Sequence, residues 1–124
     1  MTEAMELHDS DVAAIQIVGG AVCIEFSEAY IWAEGKGWRQ KARLVLEDGQ
    51  VQETPENFPV TISEGLLEGG EMRFDNIVPL PLSEPGIFSV EFLFSGGGYL
   101  RATGHNPRVE LIGGRRFIEE AGQL

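Results

Sequence analysis

Apolar side chains recur along this chain with a period of two, and glycines interrupt the rhythm at short intervals. The run 87–94 shows it most plainly, with Phe88, Val90, Phe92 and Phe94 on one side. A two-residue period belongs to a strand buried on one face, and no segment of about ten residues keeps the 3.6-residue period of an amphipathic helix. The interruptions are Gly19-Gly20, Gly35-Lys36-Gly37, Asp48-Gly49, Gly69-Gly70, Gly96-Gly97-Gly98 and Gly113-Gly114. Glycine takes the positive φ angles of tight hairpin turns. The pattern predicts an all-β chain, an antiparallel β-sandwich or partly closed barrel of roughly 7–9 strands with little helix.

The predicted strands are 12–18, 21–34, 38–46, 71–76, 87–94, 99–103, 108–112 and 115–120, with 60–67 strand or a short helical turn. The span 50–59 reads as a loop, because it is polar and carries Pro55 and Pro59. Pro79, Pro81 and Pro85 exclude a central strand there, since each lacks the N–H a ladder needs. A hairpin symmetric about Lys36 places Phe26, Tyr30 and Trp32 beside Leu46, Ala42 and Gln40, and sets Arg39, Lys41 and Arg43 opposite Ala33, Ile31 and Ala29 as a basic stripe. Strict alternation would point Glu28 inward with a raised pKa; a bulge near Ser27, or a partner such as Arg73, relieves it.

A length of 124 residues fits one domain, 1–124. Twenty acids against nine Lys and Arg give a net charge of −11, and ten acids but one base, Arg73, lie between Leu44 and Glu91. Such a field repels phosphate backbones and anionic lipid, so neither nucleic acid nor membrane is expected as a partner, and a basic protein is. Its blander role is to keep a β-rich chain soluble. Cys23 is the sole cysteine, so no intrachain disulfide forms. With a polar, acidic start lacking the signal-peptide pattern, the expected compartment is the cytoplasm.

Motifs of chemistry are scarce. Lys36 is followed by Gly37 where a phosphate loop has Ser or Thr, and Ser63 and Ser95 lack the leading glycine of a nucleophile elbow. No cofactor is called for. The segment His8-Asp9-Ser10-Asp11 offers an imidazole and two carboxylates, with His105 as a distant further ligand. Asp and Ser ahead of a strand also serve simply to fix a turn, and His105-Asn106-Pro107 has the same turn chemistry. A second candidate is a pocket near Glu28, Trp32 and Trp38, although aromatics at strand spacing commonly belong to cores.

Leu7-His8-Asp9-Ser10 ahead of a strand, the run 94–102 (Phe-Ser-Gly-Gly-Gly-Tyr-Leu-Arg-Ala) and the closing 114–120 (Gly-Arg-Arg-Phe-Ile-Glu-Glu) resemble a loose group of small bacterial β-domains to which no activity is attached. Some domains of this style act as immunity proteins in toxin systems. The resemblance implies a β fold and a bacterial origin, and it carries over no catalytic residue.

Two functions are therefore expected as alternatives. One is a non-enzymatic protein-binding module, of the immunity or inhibitor kind, whose acidic surface meets a basic partner. The other is a small-ligand- or metal-binding domain, or an enzyme, using His8, Asp9 and Asp11 or the Glu28/Trp32/Trp38 pocket. Self-association through an edge strand, with 99–103 as the candidate, is a third route to assembly.

Overall fold

The computed structural model describes residues 3–120, and every regular element in them is a strand. In chain order these are β1 (Glu3–Val18), β2 (Ala21–Ala33), β3 (Lys36–Glu53), β4 (Val60–Gly69), β5 (Met72–Asp75), β6 (Ile77–Leu80), β7 (Ile87–Phe94) and β8 (Tyr99–Glu120). All pairings are antiparallel, in the order β5-β4-β7-β8-β3-β2-β1-β6, and β1 also pairs with β4. That last contact turns β4-β7-β8-β3-β2-β1 into a ring, so the fold is a partly closed barrel. Among the described residues no helix is long and apolar enough to cross a membrane.

The ring closes through only two residue pairs, Asp11 with Thr61 and Val12 with Val60. On one side of this seam β1 and β4 splay, and β5 and β6 continue their edges. Asn76, at φ 65°, wedges the fork. Its carbonyl accepts the Leu7 N–H at 2.7 Å, its N–H donates to the Gly65 carbonyl at 2.9 Å, and its Oδ1 accepts the Gly65 N–H at 3.2 Å. No side chain fits at Gly65, where a Cβ would come within 2.6 Å of the Leu7 Cβ.

Inside the ring lies the core, with Leu7, Ile24, Phe26, Ile31, Leu44, Leu46, Ile62, Leu67, Phe92 and Leu100 among its fully enclosed members. Phe92 meets Phe26 and Phe94 edge-on, at centroid distances of 6.2 and 6.3 Å. The β6–β7 connection runs beside β8, where Ser83 bridges to Arg108 and Leu82 joins the core.

Several expectations are corrected by this register. β1 begins at Glu3, nine residues before the predicted strand, because Met5 and Leu7 are core residues within an otherwise polar run. β3 and β8 are longer than the glycines suggest. Asp48-Gly49, Gly104 and Gly113-Gly114 lie inside strands, at or beside ladder irregularities where the chain coils around the barrel. Gln50 to Glu53 therefore belongs to β3, and 99–112 is unbroken. The strand 99–103 is no edge, since β7 and β3 flank it.

The β2–β3 hairpin turns at Glu34-Gly35, with φ of 56° and 72°, so Ala33 pairs with Lys36 and Ile31 with Trp38. A bulge does occupy Ser27-Glu28, between the Phe26–Ala42 and Ala29–Gln40 pairs. Its extra residue reverses every later side chain, so Ala29, Ile31 and Ala33 enter the core while Tyr30 and Trp32 face outward. Arg39 consequently lies opposite Tyr30, and Arg43 opposite Glu25.

Candidate functional site

Four strands are adjacent in the sheet, β5, β4, β7 and the first part of β8, and the first three carry Glu64, Glu68, Asp75 and Glu91 from the acidic middle of the chain. Leu67, Val90 and Ala102 are in register and buried, so the next row, Asp75, Leu66, Glu91 and Arg101, faces outward. Beside it run Glu64, Leu93 and Tyr99. All of these side chains but Arg101, together with Arg73, line a hollow of about 200 Å³ on the outer face. Leu66, Leu93 and Tyr99 give it apolar surface, while Glu64, Asp75 and Glu91 give it negative charge.

Two arginines offset part of that charge. Arg73 reaches Glu68 at 2.9 Å and Asp75 at 3.2 Å, and its hydrogen bond to Asp75 raises its pKa further. Arg101 lies 3.6 Å from Glu91, with its guanidinium 5.8 Å from the Tyr99 ring centre. Among the described residues Glu64 has no ion-pair partner. Acidic and leucine side chains thus alternate on one exposed face, in Glu64 and Leu66 on β4 and in Glu91 and Leu93 on β7. A long aliphatic side chain with a cationic tip matches such a surface, its stem on the leucines and its head among the carboxylates.

A second group lies beside the β1–β4 seam, where β1 leaves the β2 ladder between Glu6 and Asp11. Ser10 is fully buried there. Its Oγ donates to the Glu6 carbonyl at 2.6 Å and accepts the Tyr30 N–H at 2.9 Å. With Ser10 drawn in and Asp9 at φ 68°, His8 and Asp9 turn outward. The His8 Nδ1 is 3.3 Å from an Asp9 oxygen and 3.9 Å from a Glu6 oxygen, and one ligand atom from each of the three lies within 4.8 Å of the others. Glu6 also accepts from the Trp32 indole at 3.4 Å, Trp32 leans on Tyr30 at 5.1 Å, and the Arg39 guanidinium lies 5.0 Å from the centre of the Tyr30 ring. Burial first, and then its bond to Glu119, push the Tyr30 hydroxyl pKa well above its ordinary value.

The predicted polar cluster is only partly assembled. His8 and Asp9 meet, joined by Glu6. Asp11 instead accepts from the Thr61 hydroxyl at 2.7 Å, at the barrel seam. His105 lies on β8, opposite Glu47 and Ile87, and its buried Nδ1 has no hydrogen-bond partner.

Glu28, Trp32 and Trp38 do not face one another. Glu28 is ion-paired with Arg116 on the outer face, while Arg73, the partner considered for it, belongs to β5. Trp32 faces outward. Trp38 faces inward, its indole donating to the Ala33 carbonyl at 3.1 Å and its ring meeting Phe117 edge-on at 5.6 Å. In the basic stripe, Arg43 grips Glu25 with two bonds, at 2.5 and 2.9 Å, and reaches Glu110 at 3.2 Å. Glu47 lies 3.5 Å from Arg108.

Glu6 and the acidic hollow were the residues that sequence reasoning missed. The signal for the hollow was present as two acid-x-leucine triplets, Glu64 to Leu66 and Glu91 to Leu93, and it gains meaning only once β4 and β7 are in register. No protein-family model, no curated protein and no solved structure matches the chain.

Proposed function

We propose that the chain is a non-enzymatic protein-binding module, of the immunity or inhibitor kind, whose acidic face receives a basic segment of a partner. The observation that carries this reading is the hollow on β4, β5, β7 and β8, in which leucine and tyrosine surface is interleaved with carboxylates. A lysine or arginine side chain satisfies both halves of that surface, and the net charge of −11 speeds its approach. The reading extends to a bacterial cytoplasm, a setting that suits the single thiol of Cys23.

Fluorescence anisotropy with a labelled arginine-rich peptide tests it. Binding should weaken as salt is raised, and a Glu64→Gln/Glu91→Gln variant should bind about five- to thirtyfold less tightly, from roughly 0.5–1 kcal/mol for each exposed charge. Absence of binding, or binding indifferent to both salt and the double variant, removes the proposal.

A second reading is favoured by the Glu6, His8 and Asp9 geometry. One imidazole and two carboxylates this close can share a divalent transition-metal ion, with water completing its shell. Calorimetric titration with zinc should then show one site that His8→Ala abolishes. An unchanged isotherm in His8→Ala would exclude it.

A further inference from the structure

The last strand outgrows its neighbours. β8 is flanked by β7 and β3 only as far as His105, and from 109 to 120 it is paired with β3 alone among the described residues. Its other side in that half is an open sheet edge, anchored at the start by the Ser83–Arg108 bridge. Three large apolar residues exposed at the surface, Leu111, Phe117 and Ile118, lie in the same half. Open edges bearing apolar side chains are templates for another strand.

The order of residues along this edge names the strand that fits. From 115 to 120 it reads Arg-Arg-Phe-Ile-Glu-Glu, which is its own antiparallel complement in charge. Laid against a second copy with 115 opposite 120, 116 opposite 119 and 117 opposite 118, every arginine meets a glutamate and Phe117 meets Ile118.

The faces agree as well. Arg116 is in register with Arg39, and Glu119 accepts from the outward Tyr30 hydroxyl, so both belong to the outer side. Arg115 is in register with the buried Gln40 and donates to its Oε1 at 3.1 Å, while Glu120 is in register with Lys36, itself opposite the core residue Ala33. Both of these belong to the inner side. The present partners of the arginines are surface carboxylates, Glu28 for Arg116 and Glu3 at 3.5 Å for Arg115, so either pair can be shared or exchanged.

We propose that two copies of this chain join edge to edge along 115–120, related by a two-fold axis, so that β6-β1-β2-β3-β8 continues into the same five strands of the second copy. The Gly113-Gly114 irregularity bends the strand and confines the contact to these six residues. This proposal is independent of the acidic-face reading, since it uses none of its residues.

Sedimentation velocity on the full chain over a concentration series tests it, with a reversible monomer–dimer equilibrium as the expected result. Arg115→Glu/Arg116→Glu and Glu119→Arg/Glu120→Arg should each weaken the dimer about tenfold or more, and mixing the two variants should restore association through Arg–Glu pairs. Ile118→Asp checks the same edge at a residue that is exposed and outside the β3 register, so the fold should survive and the dimer should not. A wild-type chain that stays monomeric throughout, a dimer unaffected by Ile118→Asp, or folded charge-reversed variants that fail to associate when mixed would each overturn it.

Discussion

Replacing Ser10 by alanine removes one oxygen and two hydrogen bonds from a site without solvent access. The Tyr30 N–H loses the acceptor it holds at 2.9 Å, and the Glu6 carbonyl loses the donor at 2.6 Å. A buried amide left without an acceptor costs about 1–3 kcal/mol, and the lost bond to the carbonyl adds roughly 0.5–1.5 kcal/mol. The expected loss of stability is therefore about 2–4 kcal/mol, and at roughly 2.1 cal/mol/K per residue this lowers Tm by about 8–15 °C for a chain of this length. Thermal unfolding followed by circular dichroism measures it, with the exposed His8→Ala as a control expected to change stability by under about 0.5 kcal/mol. If Ser10→Ala lowers Tm by no more than the control, the hydroxyl does not secure the β1 excursion, and the positioning of His8 and Asp9 needs another cause.

Gly104→Ala should destabilise by about 1–3 kcal/mol through overpacking, because its Cβ would lie 2.6 Å from the Leu46 Cβ and 3.0 Å from the Glu47 carbonyl; Gly114→Ala, with open space around it, should be far milder in the same urea titration. Tyr30 keeps its proton above the ordinary tyrosine value of 10.0, so between that value and its folded pKa the folded chain binds more protons than the unfolded one and stability falls as pH rises; Tyr30→Phe should flatten that alkaline decline. Glu110 behaves with the opposite sign. Its hydrogen bonds, first from Arg108 and then from Arg43, hold its pKa below 4.5, so its contribution is present above the unfolded value and fades as pH falls, and Arg108→Ala should shrink that acid-side loss in equilibrium unfolding. Burial, followed by the charge of Glu25, raises the Cys23 thiol pKa, so reaction of the folded chain with a disulfide reagent should be slow until strongly alkaline pH and fast on unfolding.

Strand content was legible because a period of two needs only neighbouring residues to be seen. The barrel seam was not, because Asn76, Leu7 and Gly65 meet across three segments that share no local pattern. Glycine misled in one consistent way. Gly19-Gly20 and Gly70 do turn the chain, whereas Gly49, Gly69 and Gly104 lie within strands where no Cβ can enter, Gly49 because its Cβ would come 2.6 Å from a Val22 methyl. Both uses give the same letter in a sequence. The bulge at Ser27-Glu28 was foreseeable from one misplaced carboxylate, but its effect on Tyr30 and Trp32 followed from counting one residue further, which moved both rings to the outer face and separated Trp32 from Trp38. The candidate site was read by adjacency along the chain, which joined His8 to Asp9 but took Asp11, which goes to the seam, in place of Glu6, two residues ahead of His8 and beside it in space.

The most direct measurement is a map of backbone amide shifts as an unlabelled arginine-rich peptide is titrated into the labelled protein. Interleaved carboxylate and leucine surface on β4, β5, β7 and β8 predicts that the largest changes centre on Leu66, Glu91, Leu93 and Tyr99 and fade with added salt. Changes centred on His8 and Trp32, or spread evenly over every acidic residue, would contradict it.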